Sequence, residues 1–526
     1  NFIQSDKKFS ILKTILIYQN MKILDCTLRD GGYYTGWDFS DNLVNSYFDL
    51  VKHLPIDIVE VGYRGNKTKK SYFGEYYFLT KTKLQSIKKK IGKKTKVSVM
   101  IDLKDWKTPK ALETNLRDCN KCIDIIRFAV DPKKISEIKE YIKITKKLGF
   151  TVAVNLMYTH LILKDVEIIL NIIKLKKYFD IIYLVDSYGA LVPGDIGKII
   201  DKIKLIDKNL KIGFHSHNNL ELALSNSIEA INRGVDFVDC TFTGMGRGAG
   251  NLKTELLLSY LGIKHNKIKI NNFKNIGTVV DMLEEIKSKE KWGTSLPYMI
   301  SGSTNSPQSE AMQLIKSKRY NMTDIVTYLY KKNEKDINII KNLNFKKKEV
   351  LIIGGGMSVK KKIDYLKEFL KENKNIFVIF SSSRNTELFN NISSRSITCI
   401  TGNEIVKIKK NYLKKNKFII NDLIDEKTLL PKKTINFYKI KKNILSKKIN
   451  NSPLAISLAL AHEINAKKIF LVGFDGFKET DKINDYNLFN ENQKILNFYD
   501  NRLNLIFLSE TTYDTKNKTS IFKYLT

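Results

Sequence analysis

Residues that could bind a metal ion and an anion occur at two separate places in the sequence. The segment "TLRDGGY" places Arg29 beside Asp30, and "HSH" places His215 two residues before His217. Two neutral imidazoles and one carboxylate are a suitable ligand set for a divalent metal ion. An arginine beside such an ion could stabilise negative charge that develops on a substrate. The alternatives are an ordinary surface ion pair and two hydrogen-bonded loop histidines, although the whole chain has only six histidines.

Short runs of β-branched and apolar residues recur through the first half of the chain, and a segment with helical periodicity follows each of them. The runs lie at 22–26, 56–62, 96–102, 123–129, 151–157, 181–187, 211–217 and 237–244. Apolar strands that alternate with helices indicate a parallel sheet covered by those helices. Eight such units in about 230 residues predict a closed (β/α)8 TIM barrel, with an open eight-stranded sheet as the alternative.

A barrel of this kind carries its chemistry at the carboxyl ends of the strands. Arg29 and Asp30 end the first predicted strand, and His215 and His217 end the seventh. Because residues two apart on a strand point to the same side, both imidazoles can face the barrel mouth. In a closed barrel strand 1 pairs with strand 8, so Asp30 can reach an ion held near strand 7. Other polar residues near predicted strand ends are Glu60, Arg64, Arg127, Asn155, Asp186, Ser187 and Asn251.

Five segments in this order resemble those of a known enzyme family. They are "TLRDGGY", "EVGYR", "VDSYGA", "GFHSHNNLELALSNSIEA" and "DCTFTGMGRGAGNLKTE". On these motifs residues 21–260 resemble the DRE-TIM metallolyases related to hydroxymethylglutaryl-CoA lyase, most closely their 4-hydroxy-2-oxovalerate aldolase branch. The resemblance implies a metal-dependent carbon–carbon lyase or aldolase. Such an enzyme makes or breaks a bond next to a 2-oxo acid through a pyruvate-type enolate.

The resemblance also implies roles for individual residues. Arg29 would stabilise the enolate and bind the substrate, and Ser187 would contact the substrate carboxylate. The metal would be Mn²⁺ or Mg²⁺, held by Asp30, His215, His217 and, as a further ligand, Asn251.

The glycine run "GMGRGAGN" either cradles a phosphate or forms a tight turn. Phosphate binding there would admit phosphorylated or CoA-linked substrates.

The chain departs from the aldolase branch at the residue expected to transfer protons. That branch usually has a catalytic histidine where this chain has Tyr33. A tyrosine has an ordinary pKa near 10, and it can act as an acid or base when nearby positive charge lowers that pKa. The alternative is that Tyr33 only lines the pocket. Tyr298, in "LPYM", is a second candidate for the same role.

The sequence predicts four regions along the chain. Residues 1–20 form an N-terminal extension before Met21, residues 21–260 the barrel, and residues 261–345 a helical extension. Residues 346–526 begin with "VLIIGGGMS" and form a separate doubly wound α/β domain of the Rossmann type. This last domain loosely resembles Rossmann-like domains of bacterial surface-glycan and flagellin-modification proteins. We expect it to bind a nucleotide or nucleotide-linked sugar. His462 and Asp475 are either residues of that site or structural residues.

The composition limits the remaining classes of function. The net charge is +35, but the lysines are spread over every helix, which favours a solvated surface over a nucleic-acid site. No apolar run reaches the roughly 18 residues that a membrane span needs. Five cysteines, an odd and sparse set, favour a reducing cytoplasm over a disulfide framework, and "CNKC" lacks the second pair typical of zinc sites.

Several functions therefore remain open at this level. The first is the aldolase or lyase acting on a 2-oxo acid, in cell-surface sugar or acid biosynthesis. The second is an acyl-CoA Claisen-type lyase or synthase on the same barrel. The third assigns the main activity to a nucleotide-dependent transfer in the C-terminal domain, and the fourth is a basic, non-catalytic binding protein. The sequence does not predict the dehydrogenase partner of the aldolase branch, and it leaves the oligomeric state open.

Overall fold

The first half of the chain forms a closed barrel of eight parallel strands, and the second half contains an open parallel sheet. The computed structural model divides into two compact units, residues 1–313 and 314–526. The residues whose structure is described are 20–66, 73–265, 272–331, 341–342, 346–389, 392–408, 410–420, 436–440, 452–476 and 483–525. The predicted N-terminal extension therefore lies outside the described residues except for Asn20.

The barrel strands follow one another around the ring in chain order. They are β1 (Lys22–Asp25), β2 (Ile58–Tyr63), β3 (Lys96–Ile101), β4 (Ile125–Val130), β5 (Thr151–Leu156), β6 (Ile181–Asp186), β7 (Lys211–Ser216) and β8 (Phe237–Cys240). The barrel closes at β1, which pairs in parallel with β2 on one side and with β8 on the other. In the pair of β1 and β8, Asp25 lies opposite Cys240. The predicted TIM barrel is confirmed, and the open-sheet alternative is wrong.

Helices cover the outside of the barrel. They are α1 (Thr27–Thr35), α2 (Asp41–Val51), α3 (Lys81–Ile91), α4 (Pro109–Leu116), α5 (Lys139–Lys147), α6 (Leu161–Lys164), α7 (Glu167–Ile173), α8 (Pro193–Ile206), α9 (Ala223–Asn232) and α10 (Thr254–His265). The helical segment that follows contains α11 (Asn272–Glu290), α12 (Leu296–Ser303) and α13 (Gln308–Ser317).

The strands are mostly apolar because both of their faces are covered. Every residue of β2 and of β6 is buried. One large cluster packs the outward side chains against the helices, and a smaller one fills the barrel interior with Leu24, Ile58 and Tyr183 among its members. A continuous apolar strand is what burial on two sides requires. The charged residues that enter this interior therefore need specific partners.

The second unit contains an eight-stranded sheet in the order β16-β15-β10-β11-β12-β13-β14-β9. Its strands are β9 (Lys341–Asn342), β10 (Glu349–Ile353), β11 (Phe377–Phe380), β12 (Ser396–Cys399), β13 (Phe418–Ile419), β14 (Phe437–Lys439), β15 (Lys468–Val472) and β16 (Leu505–Phe507). Its helices are α14 (Met322–Lys331), α15 (Ser358–Lys361), α16 (Ile363–Glu372), α17 (Glu404–Lys407), α18 (Lys410–Lys415), α19 (Pro453–Glu463) and α20 (Ile483–Asp500). By this division α14 and β9, which the sequence analysis placed in the helical extension, lie in the second unit.

The second sheet is doubly wound, as predicted. All of its strand pairs are parallel, and successive residues of β10 pack on opposite faces. Val350 and Ile352 join the cluster that contains α19, whereas Leu351 and Ile353 join the cluster that contains α16. The direction of winding reverses between β10 and β15, since β11 follows β10 on one side and β15 lies on the other.

None of the helices within the described ranges combines the length and apolar character needed to cross a bilayer.

Candidate metal centre and active site

The segment after β1 turns directly into helix α1, so Arg29 and Asp30 lie in the first turn of a helix rather than on the strand. The two following glycines allow this helix to pack deeply. A Cβ on Gly31 would lie 2.5 Å from the Sδ atom of Met245, and one on Gly32 would overlap the ring of Trp37. This close packing leaves Arg29 7% exposed and Asp30 3% exposed.

One carboxylate oxygen of Asp30 is the point where the predicted ligands meet. Its Oδ2 atom accepts a hydrogen bond of 2.6 Å from Nδ2 of Asn251 and lies 3.7 Å from Nε2 of His215. The ring centroids of His215 and His217 are 5.1 Å apart. The structure thus brings together all four residues to which a metal was assigned from the sequence.

The second nitrogen of each histidine ring is already bonded. Nδ1 of His215 lies 2.9 Å from Oδ2 of Asp239, and Nδ1 of His217 lies 2.8 Å from the backbone oxygen of Asp186. Metal-binding histidines in proteins are oriented in this way, by a carboxylate or a carbonyl on the nitrogen that does not bind the metal. The Nε2 atom of each ring is left for a ligand.

Burial controls the protonation of these groups. It lowers the pKa of His215 well below the ordinary value, even though Asp30 opposes the shift, and it also lowers the pKa of His217. Both imidazoles are therefore neutral near pH 7, the form that can donate a lone pair to a metal. Burial alone would raise the pKa of Asp30, but the nearby positive charges, that of Arg29 first, and the hydrogen bond from Asn251 together outweigh burial, so that the pKa of this carboxyl is lowered.

Arg29 is held by two carboxylates. Its Nε donates to Oε2 of Glu60 at 2.8 Å, and its Nη1 donates to Oδ1 of Asp30. Its Nη2 has no hydrogen-bond partner among the described residues. The Arg29–Asp30 pair is therefore a buried interaction rather than a surface ion pair, and it leaves one nitrogen of the guanidinium group for a ligand.

A second arginine, Arg127, binds the carboxylates that hold Arg29 and His215. Arg127 is fully buried and donates to Glu60 at 3.2 Å, to Asp239 at 2.5 Å and to Oδ1 of Asn155 at 3.1 Å. Its guanidinium group also stacks 3.9 Å from the centroid of the Tyr183 ring. Buried charges of this kind are tolerated only when they are paired and hydrogen-bonded. Arg127 thereby positions the carboxylates that in turn hold Arg29 and His215.

The donor atoms fit a divalent metal. Cys26, Asp30 and His215 each offer one atom, and these atoms lie within 4.8 Å of one another. The side-chain oxygen of Asn251 is buried and has no hydrogen-bond partner within the described part of the chain. Burial raises the pKa of Cys26 well above the ordinary value, so this residue is a thiol rather than a thiolate ligand. Without Cys26, the candidate ligand atoms are carboxylate and amide oxygens together with imidazole nitrogens.

Tyr33 lies one turn after Arg29 on α1, at the edge of this cluster. Its hydroxyl is 3.1 Å from the hydroxyl of Tyr63, and its ring packs edge-on against Trp37 with 5.0 Å between centroids. Burial raises the pKa of Tyr63 well above the ordinary value. Tyr63 therefore keeps its proton and can donate it in a hydrogen bond to Tyr33.

The other predicted candidates have different surroundings. The hydroxyl of Ser187 accepts a hydrogen bond of 2.8 Å from the backbone N–H of Tyr158, just beyond the end of β6. Tyr298 is buried on α12 against the "GMGRGAGN" loop, where a Cβ on Gly248 would lie 2.9 Å from its ring. Burial raises the pKa of Tyr298 to about 12, which keeps its hydroxyl protonated.

Two polar residues at strand ends do not join the cluster. Arg64 donates to the backbone oxygens of Leu79 and Asn115, away from the cluster. Asp186 accepts from the backbone N–H of Ala190 at 3.1 Å, and burial raises the pKa of its carboxyl to about 7. Both lie near a strand end, but neither side chain bonds to the members of the metal cluster.

The sequence analysis missed three residues of this region: Cys26, Asp239 and Arg247. Asp239 could have been found, because it interrupts the apolar run of the eighth strand at a position two residues from Phe237, which points into the barrel. Cys26 reads as an ordinary core residue. Arg247, whose guanidinium group lies 3.8 Å from the centroid of the Tyr33 ring, carries no such signal.

In the second unit the glycine loop after β10 packs against the loop after β15. A Cβ on Gly354 would lie 2.4 Å from the backbone oxygen of Gly473, and one on Gly356 would lie 2.7 Å from Oδ2 of Asp475, so neither position has room for a side chain. The same oxygen accepts a hydrogen bond of 2.9 Å from the backbone N–H of Ser358. An internal carboxylate thus occupies the N–H group that a phosphate would otherwise use.

Comparison with known proteins concerns the barrel and the helices that follow it. A family model described as HMGL-like matches residues 20–282, which is half of the chain. 4-Hydroxy-2-oxovalerate aldolase from Geobacillus genomosp. 3 is 29% identical over 247 residues, which cover 46% of this chain and 71% of that protein. Oxaloacetate decarboxylase from Mycobacterium tuberculosis is 25% identical over 246 residues. The match covers 45% of this chain and 69% of that protein.

A solved structure gives the same result. The N-terminal domain of a candidate aldolase from Bacteroides vulgatus is 40% identical, with a TM-score of 0.53. The match covers 56% of this chain and 97% of that domain. The resemblance predicted from the five sequence segments is therefore confirmed at the level of the family. The chain belongs to the HMGL-like family.

Proposed function

We propose that this protein is a divalent-metal-dependent lyase that makes or breaks a carbon–carbon bond next to the keto group of a 2-oxo acid. The reaction type we propose is a pyruvate aldolase reaction. The similarity to a 4-hydroxy-2-oxovalerate aldolase and an oxaloacetate decarboxylase supports this class, because both names denote the chemistry of 2-oxo acids. The observation that carries the proposal is the meeting of Asp30, His215 and Asn251 at one buried point beside Arg29.

The metal ligands in this proposal are Asp30, His215, His217 and Asn251, and the metal is Mn²⁺ or Mg²⁺. When bound, the ion supplies a Lewis acid for the keto oxygen of the substrate. In this proposal the Nη2 atom of Arg29 stabilises the negative charge that develops on the enolate oxygen, while the Nε and Nη1 atoms of Arg29 are held by Glu60 and Asp30. Ser187 binds the substrate carboxylate through its hydroxyl hydrogen.

Tyr33 is the group that we propose to move the proton. Its oxygen can accept a hydrogen bond from Tyr63, and the guanidinium group of Arg247 lies over its ring. These two contacts hold the Tyr33 side chain at the edge of the metal cluster, where a general acid or base would have to lie.

Tyr33→Phe is expected to lower kcat by about 10²-fold, because general acid–base catalysis contributes on this order, while the metal content stays unchanged. Steady-state kinetics with a metal assay of the purified variant measures both quantities. Tyr141→Phe is the matched control, since it removes a hydroxyl that bonds the backbone oxygen of Trp106. If Tyr33→Phe had the wild-type kcat, Tyr33 would only line the pocket and would not transfer the proton.

Exchange of the pyruvate methyl protons in D₂O tests the function directly. The full chain with Mn²⁺ is expected to deuterate the methyl group, as followed by proton NMR, and to stop doing so when a chelator removes the ion. No CoA compound should be needed. Exchange that appears only when an acyl-CoA is added would support the Claisen-type alternative instead, and a protein that carries no divalent metal would contradict both.

For the second unit we retain the proposal of a nucleotide or nucleotide-linked sugar at the carboxyl edge of its sheet. Its support is the reversal of winding between β10 and β15, the position at which open α/β sheets bind ligands. Asp475 already occupies the N–H group of Ser358, so the glycine loop itself adds no support. Thermal shifts of the full chain across a nucleotide panel test this proposal.

A further inference from the structure

Arg247 lies on a loop whose backbone is held from several sides. The N–H of Gly248 donates to the hydroxyl of Tyr34 at 3.0 Å, and the oxygen of Gly248 accepts from the N–H of Gly293 at 2.9 Å. The oxygen of Arg247 itself accepts from Gly250 at 3.0 Å. Because the backbone is fixed, the direction in which the Arg247 side chain leaves the loop is fixed as well.

This side chain is exposed and covers Tyr33. Its guanidinium group stacks 3.8 Å from the centroid of that ring, and it makes no hydrogen bond or ion pair with any of the residues that the structure describes. Arg29 and Arg127, in contrast, each bond to two carboxylates.

The sum of the charges around the site shows that no carboxylate is left to compensate the charge of Arg247. The buried cluster contains three carboxylates and two guanidinium groups, so it carries one negative charge: Asp30, Glu60, Asp239, Arg29 and Arg127. A divalent ion together with the carboxylate of one 2-oxo acid would neutralise that charge. The charge of Arg247 would then remain uncompensated at the mouth of the site. A guanidinium group in this state is suited to bind a carboxylate or phosphate through two parallel hydrogen bonds.

We propose that Arg247 binds an anionic group, either a carboxylate or a phosphate, on the aldehyde that reacts with the enolate. This inference rests on the proposed function and adds the class of its second substrate. In the step concerned, the methyl carbon of pyruvate loses a proton and bonds to the aldehyde carbon, while the aldehyde oxygen takes up a proton. No oxidant or reductant takes part.

Matched pairs of aldehydes test this inference with pyruvate and Mn²⁺ on the full chain. Succinic semialdehyde is compared with butanal, and glyceraldehyde 3-phosphate with glyceraldehyde, so that each pair differs mainly in its anionic group. We expect kcat/KM to be about 10- to 100-fold higher for the anionic member of at least one pair, as hydrogen bonds to charged groups allow. The pair that shows the preference identifies the anion as carboxylate or phosphate.

Substitutions assign that preference to Arg247. In Arg247→Gln the anionic preference should disappear, mainly through KM for the anionic aldehyde, and Arg247→Lys should restore part of it. Lys253→Ala removes an exposed positive charge from the same loop and should keep the preference. Equal kcat/KM within both pairs in the wild type, or an equal loss for both members in Arg247→Gln, would overturn the inference. Absence of methyl deuteration of pyruvate in the wild type would instead overturn the proposed function itself.

Discussion

Asp30→Asn is expected to give a folded protein that no longer retains divalent metal and has lost at least about 10²-fold in turnover. Asparagine keeps the size of the side chain but removes the negative charge at the point where Asn251 and His215 meet. Even residues that only orient a metal ligand contribute 10- to 100-fold to metal affinity, so a direct ligand should contribute at least as much. Elemental analysis of the purified variant and pyruvate exchange kinetics measure the two losses.

Asp57→Asn is the matched control for this prediction. Asp57 is exposed, and its carboxylate accepts a hydrogen bond of 2.9 Å from the backbone N–H of Ile23, at the amino-terminal end of β1. The same chemical change there should leave the metal content and the exchange rate unaltered. If Asp30→Asn still contained a stoichiometric amount of metal, the ion would bind elsewhere and Asp30 would not be its ligand.

Arg29→Lys is expected to keep the metal and to lose about 10²- to 10³-fold in kcat, the range found when one group that stabilises an oxyanion is removed. Lysine preserves the charge but has a single nitrogen. Its three N–H donors leave that one atom, so they cannot take the separate positions from which Nε and Nη1 bond Glu60 and Asp30 and also provide the donor that Nη2 offers to the substrate. Measuring kcat together with the metal content separates a loss of catalysis from a loss of the ion.

Arg64→Lys provides the comparison. Arg64 also follows a barrel strand, but its guanidinium group bonds the backbone oxygens of Leu79 and Asn115. Its substitution should therefore have little effect on kcat. If Arg29→Lys retained the wild-type kcat, Arg29 would be a structural partner of Glu60 and Asp30 rather than a group that contacts the reacting atoms.

The amino-acid sequence alone determined most of the architecture. Apolar runs alternating with amphipathic helices predict the parallel barrel, because a strand buried on both faces is apolar along most of its length. The spacing of His215 and His217 predicts that their side chains lie on the same side, since side chains alternate along a strand. These patterns depend on local geometry, which neighbouring residues in the chain decide.

Only the tertiary structure decided which polar groups meet. Arg64 and Arg29 both follow barrel strands, yet Arg29 turns to Glu60 whereas Arg64 turns to Leu79 and Asn115. Asp239 bonds His215 from the neighbouring strand, and Arg247 contacts Tyr33 from a loop more than two hundred residues away in the sequence. Long side chains have several rotamers that suit any local sequence, and the choice among them depends on partners that folding brings together. The sequence therefore determined the strands and the facing histidines, and the closure of the barrel decided the contacts among their charges.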